Sequence, residues 1–223
     1  MSADPESSNP QPGRKVHDRE VDATAPGRCA CYAAWSELTA SPHDIDPRPG
    51  LREKIGAWSG LPHSAALDAL VAEFIDTELD VLKRQYSSLF EVGSDGPPVP
   101  IREDLQTGQR AGTREDLVRF YDFFGYTLAE RFAWAPDHLS VELEFMHFLC
   151  YGEAATEDEP EPYQFAQIDF AERHLVRWIP GFSEQVAEAA GDSIYVRITA
   201  ALKDFVLADY AWQSGTISLI EEH

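Results

Sequence analysis

Glu144 and His147 stand three residues apart in an otherwise apolar run, so one helical face would carry both a carboxylate and an imidazole. That is part of the donor set of a carboxylate-bridged di-iron bundle, which needs a second Glu-x-x-His and two further glutamates from other helices. No second copy is present, and Glu172-Arg173-His174 has the wrong spacing. The pair therefore reads as a chance match; a helical metal-dependent oxidase using Glu144 and His147 is the alternative. The three cysteines, Cys29, Cys31 and Cys150, form neither a disulfide framework nor a tetrahedral zinc set, and buried reduced thiols are expected. There is no Gly-x-Ser-x-Gly elbow and no glycine-rich phosphate loop.

Pro136-Asp137-His138 carries more promise. Proline suits a first helical position, and an aspartate beside it would lie near the positive helix end. Asp137 can accept a hydrogen bond or pair with an arginine, and His138 can donate or accept. Set among aromatics, the trio would place directed polar groups at the edge of a cleft; a plain helix cap is the competing reading.

The elements that would hold these groups are helical. Tyr32, Trp35 and Leu38 recur at threefold spacing and predict a first helix over residues 25–38, with a short one over 51–58. Leu67, Leu70, Val71, Phe74, Ile75, Leu79, Leu82, Tyr86, Leu89 and Phe90 keep the 3.6-residue period and predict one helix over 64–90. A proline-rich loop, Pro97-Pro98-Val99-Pro100, follows. Thr113, with Asp116 three residues on, predicts a capped helix over 113–132. Further helices are expected over 136–150, 163–178, 182–190 and from 192 onward. The fold class is all-α, a single-domain helical bundle over 25–212, with polar tails at 1–24 and 213–223.

Charge excludes one class of partner. Asp plus Glu number 39 against 18 Lys plus Arg, for a net −21, and 14 of the 18 are arginine. Phosphate would be repelled, so no nucleic-acid binding is expected. Two explanations remain: attraction of basic partners, or a halophilic surface of well-hydrated carboxylates, and the even spread of acids along the chain favours the second. No run of about 18 apolar residues exists to cross a membrane, and the N-terminus lacks the basic and apolar regions of a secretory signal. A cytoplasmic protein without stable membrane insertion is expected.

Three stretches, in order, carry a family resemblance: Tyr86-Ser87-Ser88-Leu89-Phe90 before the proline-rich loop; Ala135-Pro136-Asp137-His138-Leu139-Ser140-Val141-Glu142-Leu143-Glu144-Phe145; and His174-Leu175-Val176-Arg177-Trp178-Ile179-Pro180-Gly181-Phe182. The chain resembles the TorD/DmsD/NarJ-type cytoplasmic chaperones of molybdenum oxidoreductase maturation. The resemblance spans about residues 26–210 and rests most heavily on the middle motif.

That resemblance implies a TorD-like bundle and a chaperone, not an enzyme, with no cofactor of its own. The partner it implies is the apo catalytic subunit of a molybdenum oxidoreductase of the dimethyl sulfoxide reductase or nitrate reductase kind. Its twin-arginine leader peptide or N-terminus would be bound until the molybdenum cofactor is inserted. Carried over by motif, the peptide-binding residues are Pro136, Asp137, His138, Tyr86, Leu89, Phe90 and Pro98. The loop here has no aromatic beside its prolines, a departure from the family pattern. Asp137 and Glu142 would take the arginines, with a structural role inside the bundle as the alternative for Glu142. A homodimer stays open, and so does a generic helical protein-interaction module.

Overall fold

In the computed structural model, residues 14–17, 19–61, 64–91, 93, 96–108, 112–130, 135–156 and 159–219 are described. In chain order they form β1 (Arg14–Val16), α1 (Val21–Thr39), α2 (Arg48–Lys54), α3 (Ser64–Asp76), α4 (Leu79–Phe90), α5 (Glu103–Gln106), α6 (Thr113–Phe124), α7 (Leu139–Ala155), α8 (Glu161–Phe170), α9 (Ile179–Ala190), α10 (Ile194–Gly215) and β2 (Ile217–Leu219). A single π-turn, Ala171–Leu175, continues α8. The fold is all-α apart from one two-stranded antiparallel ribbon, in which Arg14 pairs with Leu219 and Val16 with Ile217.

At the centre α1 lies antiparallel to α7. The order of cross-links shows it: Arg28 reaches Glu153, Cys29 meets His147, and the Ser36 hydroxyl donates to the Ser140 carbonyl. Both helices are apolar almost all round, as a helix surrounded by others must be. Trp35, Phe145, Phe170, Phe182 and Tyr195 are among the largest fully buried side chains. One polar knot sits inside. Arg28 is held by both oxygens of Asp209 at 2.6 and 3.0 Å, with Tyr32 and Gln213 donating to the same carboxylate. Burial opposes both charges, yet the pair stays ionised: Asp209 raises the Arg28 pKa, and Arg28 lowers that of Asp209.

Several expected boundaries move. The helix predicted over 64–90 is two helices, broken at Thr77-Glu78. The Thr77 hydroxyl bonds the Glu73 carbonyl, its own carbonyl is taken by Arg48 Nη1 at 3.1 Å, and Glu78 turns to an extended conformation. A guanidinium from α2 therefore captures a carbonyl the helix would have used, while the apolar period continues across the break. α6 starts at Thr113 with Gly112 as its cap, and Asp116 pairs with Arg173 and His174 instead of closing a capping box. It stops at Phe124 because Gly125 adopts φ 68°, which lets the Gly125 and Tyr126 N–H groups close on the Asp122 and Tyr121 carbonyls. Residues 131–132, assigned to that helix from sequence, lie outside the described residues. The tail boundaries also shift: α1 begins at Val21, α10 continues to Gly215, and both expected tails contribute a ribbon strand. Residues 1–13 and 220–223 of those tails lie outside the described residues. No helix is long and apolar enough to cross a membrane among the described residues.

Candidate functional site

The start of α7 is fixed by a strand-like contact. Residues 101–103 pair with 137–139 through Glu103 N–H to the Asp137 carbonyl (3.0 Å) and Leu139 N–H to the Ile101 carbonyl (3.1 Å). The helix cap is His138, and Pro136, expected at the first helical position, lies before the helix. The His138 Nδ1 accepts the Ser140 N–H at 3.2 Å, and Pro136-Asp137 forms the turn before it. Since Nδ1 accepts, the ring proton sits on Nε2, which faces the Tyr86 hydroxyl at 3.2 Å. Burial lowers the His138 pKa to about 4, with Asp137 raising and Arg102 lowering it, so the imidazole is neutral near pH 7.

Beside this cap lies a groove of about 180 Å³ whose wall includes Tyr86, Phe90, Pro97, Ile101, Leu105 and His138. Tyr86, Phe90 and Tyr195 pack edge to face behind it, with ring centroids 5.0–5.7 Å apart. Of the residues singled out from sequence, His138, Tyr86 and Phe90 meet here. The others stand elsewhere. Leu89 is buried in the core, and its carbonyl accepts the Val99 N–H. Pro98 is exposed while Pro97 and Pro100 line the wall, and Pro136 is buried with its carbonyl taken by the Tyr121 hydroxyl at 2.8 Å.

The two carboxylates expected to receive arginines are enclosed. Asp137 is 0% exposed and is held by the chain's own Arg102 at 2.9 Å, with Arg114 at 3.6 Å and the Asp104 N–H at 3.3 Å. The sequence reading foresaw an arginine on Asp137, but it is an internal one, and it ties the proline-rich loop to the start of α7. Glu142 is also 0% exposed, and neither oxygen has a hydrogen-bond partner among the described residues. The indole of nearby Trp178 is spent on the His174 carbonyl. Burial, then the carboxylates of Glu103 and Asp137, push the Glu142 pKa well above the ordinary range, so it is a neutral acid inside the bundle. Its place inside the bundle fits the structural alternative, without a hydrogen bond to backbone among the described residues.

Open carboxylates lie next door. Ser41 and Asp44 belong both to the His138 groove and to a second pocket of about 390 Å³ between α1, α7 and the loop before α2. Its acids are Glu37, Asp44, Asp46 and Glu144. Glu37 gives one oxygen to Lys54 at 2.6 Å, while the other is shielded and has no hydrogen-bond partner among the described residues; Asp46 is engaged by Arg48. Asp44 and Glu144 are exposed. Sequence reasoning missed Ser41, Asp44 and Glu37, which no spacing links to residue 138. It gave no role to His174, which it named only as part of a motif. That residue is buried, with its two nitrogens on Glu103 (2.9 Å) and Asp116 (3.1 Å). His147 turns its Nδ1 to the Cys29 carbonyl at 3.0 Å, and no group of three His, Cys, Asp or Glu side chains is placed to hold a metal ion among the described residues. All three cysteines are free thiols; Cys31 and Cys150 are buried and Cys29 partly so.

The fold is shared with a protein of Archaeoglobus fulgidus described as a putative redox enzyme maturation protein, whose crystal structure aligns over 80% of this chain and 93% of its own, with TM-score 0.53 and 19% identity. The chain belongs to the nitrate reductase delta subunit family, whose pattern matches residues 61–184. It is 35% identical over 158 residues to the selenate reductase assembly chaperone protein of Thauera selenatis, covering 69% of this chain and 78% of that one. The chlorate reductase assembly chaperone protein of Ideonella dechloratans is 32% identical, with 67% and 76% covered. The chaperone protein TorD of Aliivibrio fischeri is 31% identical over 182 residues, with 81% and 80% covered.

Proposed function

We propose that this protein is a maturation chaperone, not an enzyme, for a molybdenum oxidoreductase, and that the groove beside His138 receives the leader or N-terminal segment of the apo catalytic subunit. The observation that carries the reading is the continuity, at Ser41 and Asp44, of an aromatic-walled groove with an acidic pocket. A leader with two adjacent arginines and then an apolar stretch has the complementary order. Its apolar part packs on Tyr86, Phe90, Ile101 and Leu105, and its guanidinium groups reach the exposed carboxylates of Asp44 and Glu144. Asp137 acts at one remove: held by Arg102, it fixes the loop that forms one wall. His138, neutral, offers the groove a polar edge without a charge to desolvate.

Family membership supports the chaperone role, and the named roles of the relatives in selenate, chlorate and perchlorate reductase assembly support the kind of client. The work is placed in the cytoplasm, where such a subunit is still unloaded. The acidic surface, net −21, suits a salt-rich interior, where screening leaves recognition to direct contact. The test is direct titration of the full chain with a synthetic leader peptide. Asp44→Asn and Glu144→Gln should each weaken binding several-fold, and the pair more than tenfold. Affinity unchanged in the double variant would remove the acidic pocket from the site.

A further inference from the structure

A second face of the bundle, formed by α6 and α8, is unlike the rest of the surface. Phe123 is 81% exposed and leads a groove of about 420 Å³ walled by Phe120, Phe124, Pro162, Phe165 and Ala166. Aromatic side chains gathered around a groove in this way are unusual on the surface of a chain with 39 acids. Asp116, Arg119 and Arg173 belong both to this groove and to a polar basin of about 800 Å³ that continues to Arg177. The acids here are already answered from within the chain. Asp169 is bonded in a fork by Arg14 at 2.7 and 2.8 Å, Asp116 is taken by Arg173 and His174, and Glu103 by His174. Arg173 also lies over the Phe120 ring, 5.2 Å from its centroid, within the roughly 6 Å at which a guanidinium feels the ring face. Arg119 and Arg177 are exposed and form no ion pair among the described residues. Two exposed guanidinium groups without an ion pair among the described residues thus stand on the rim of an aromatic groove, in a chain of net −21.

We propose that the face between α6 and α8 is a second docking surface, which takes an acidic segment bearing aromatic or aliphatic anchors from a partner protein. Charge complementarity selects that occupant. An apolar anchor buries against Phe120, Phe123, Phe124 and Phe165, and carboxylates flanking it pair with Arg119 and Arg177 in bidentate fashion. A basic segment meets two like charges here, as an acidic one does at the His138 groove, so the two faces sort their ligands by sign. A second copy of this chain, itself strongly acidic, would also bring carboxylates, and the test separates it from a foreign partner.

The full-length protein is immobilised and panned against a displayed library of random peptides at moderate salt, together with Phe123→Asp and Arg119→Glu, both at exposed positions. The expected result is enrichment of peptides in which an aromatic or aliphatic residue is flanked by Asp or Glu. An enriched peptide, resynthesised and titrated, should lose at least tenfold in affinity to Phe123→Asp and to Arg119→Glu, and should bind His138→Ala unchanged. Circular dichroism melts of the variants should match the parent, so the loss is one of contact. Enrichment of only basic or neutral peptides, no enrichment at all, or an acidic binder indifferent to Phe123→Asp overturns the proposal. So does self-association in sedimentation that Phe123→Asp abolishes, which would assign the face to a second copy of the chain.

Discussion

Replacing His138 by glutamine tests the chemistry at the cap of α7. At pH 7.5 the wild-type ring accepts the Ser140 N–H and meets the Tyr86 hydroxyl, and losing both should cost about 1–2 kcal/mol. Lower pH reverses the order. The unfolded chain binds a proton on this histidine near pH 6.5, but burial holds the folded value down at about 4. A depressed histidine contributes stability that is present above the unfolded value and is lost as pH falls through this window. At about 1.4 kcal/mol per unit, the wild type should lose about 3 kcal/mol between pH 6.5 and 4 that the glutamine variant keeps. Glu103 and Glu142, whose values burial raises, bring the opposite trend, but they are common to both proteins and cancel in the difference. Urea unfolding at pH 7.5, 6, 5 and 4 should show the wild type more stable at the start and the variant more stable at the end. A difference independent of pH, or an imidazole titration by NMR centred near 6.5, would refute the reasoning.

Glu142→Gln should stabilise the fold at pH 8 and do less at pH 5, because a carboxyl whose value is raised by burial weakens the fold as pH rises above its unfolded value; chemical denaturation at both pH values checks it. Asp209→Asn should cost about 3 kcal/mol by leaving Arg28 buried without its counter-charge, read as a fall in the urea midpoint at unchanged slope. Gly125→Ala should cost about 1 kcal/mol, since its φ of 68° disfavours a side chain although nothing crowds the new methyl, and a thermal melt measures it.

The helical architecture was legible because the apolar period survives in α4 and α6 and apolar runs of helical length fill the central helices, and the motif around residue 138 fell at a helix start, as its residue types demand. What stayed hidden was set by contacts distant in sequence. The break at Thr77 depends on Arg48, and the fate of Asp137 on Arg102, 35 positions earlier. Local capping rules chose Thr113 over Gly112 because they have no access to a glycine's left-handed φ. Pro136 was assigned the first helical turn, whereas pairing with residues 101–103 delays the helix until His138 can cap it. Tyr86, Phe90 and His138 lie in two recognisable stretches; Asp44 and Glu37 carry no sequence signal of their own, and Asp44 reaches the groove from the loop between α1 and α2 while Glu37, on α1, lines the pocket beside it.

Calorimetric titration of the full chain tests the central claim most directly. The ligand is a synthetic peptide with two adjacent arginines followed by an apolar stretch, compared with the same peptide bearing two alanines, in wild type and in His138→Ala. The account predicts saturable one-to-one binding that drops at least tenfold on removing the arginines, and falls again, by about 1–2 kcal/mol, on truncating His138. Equal affinity for both peptides in both proteins would contradict it.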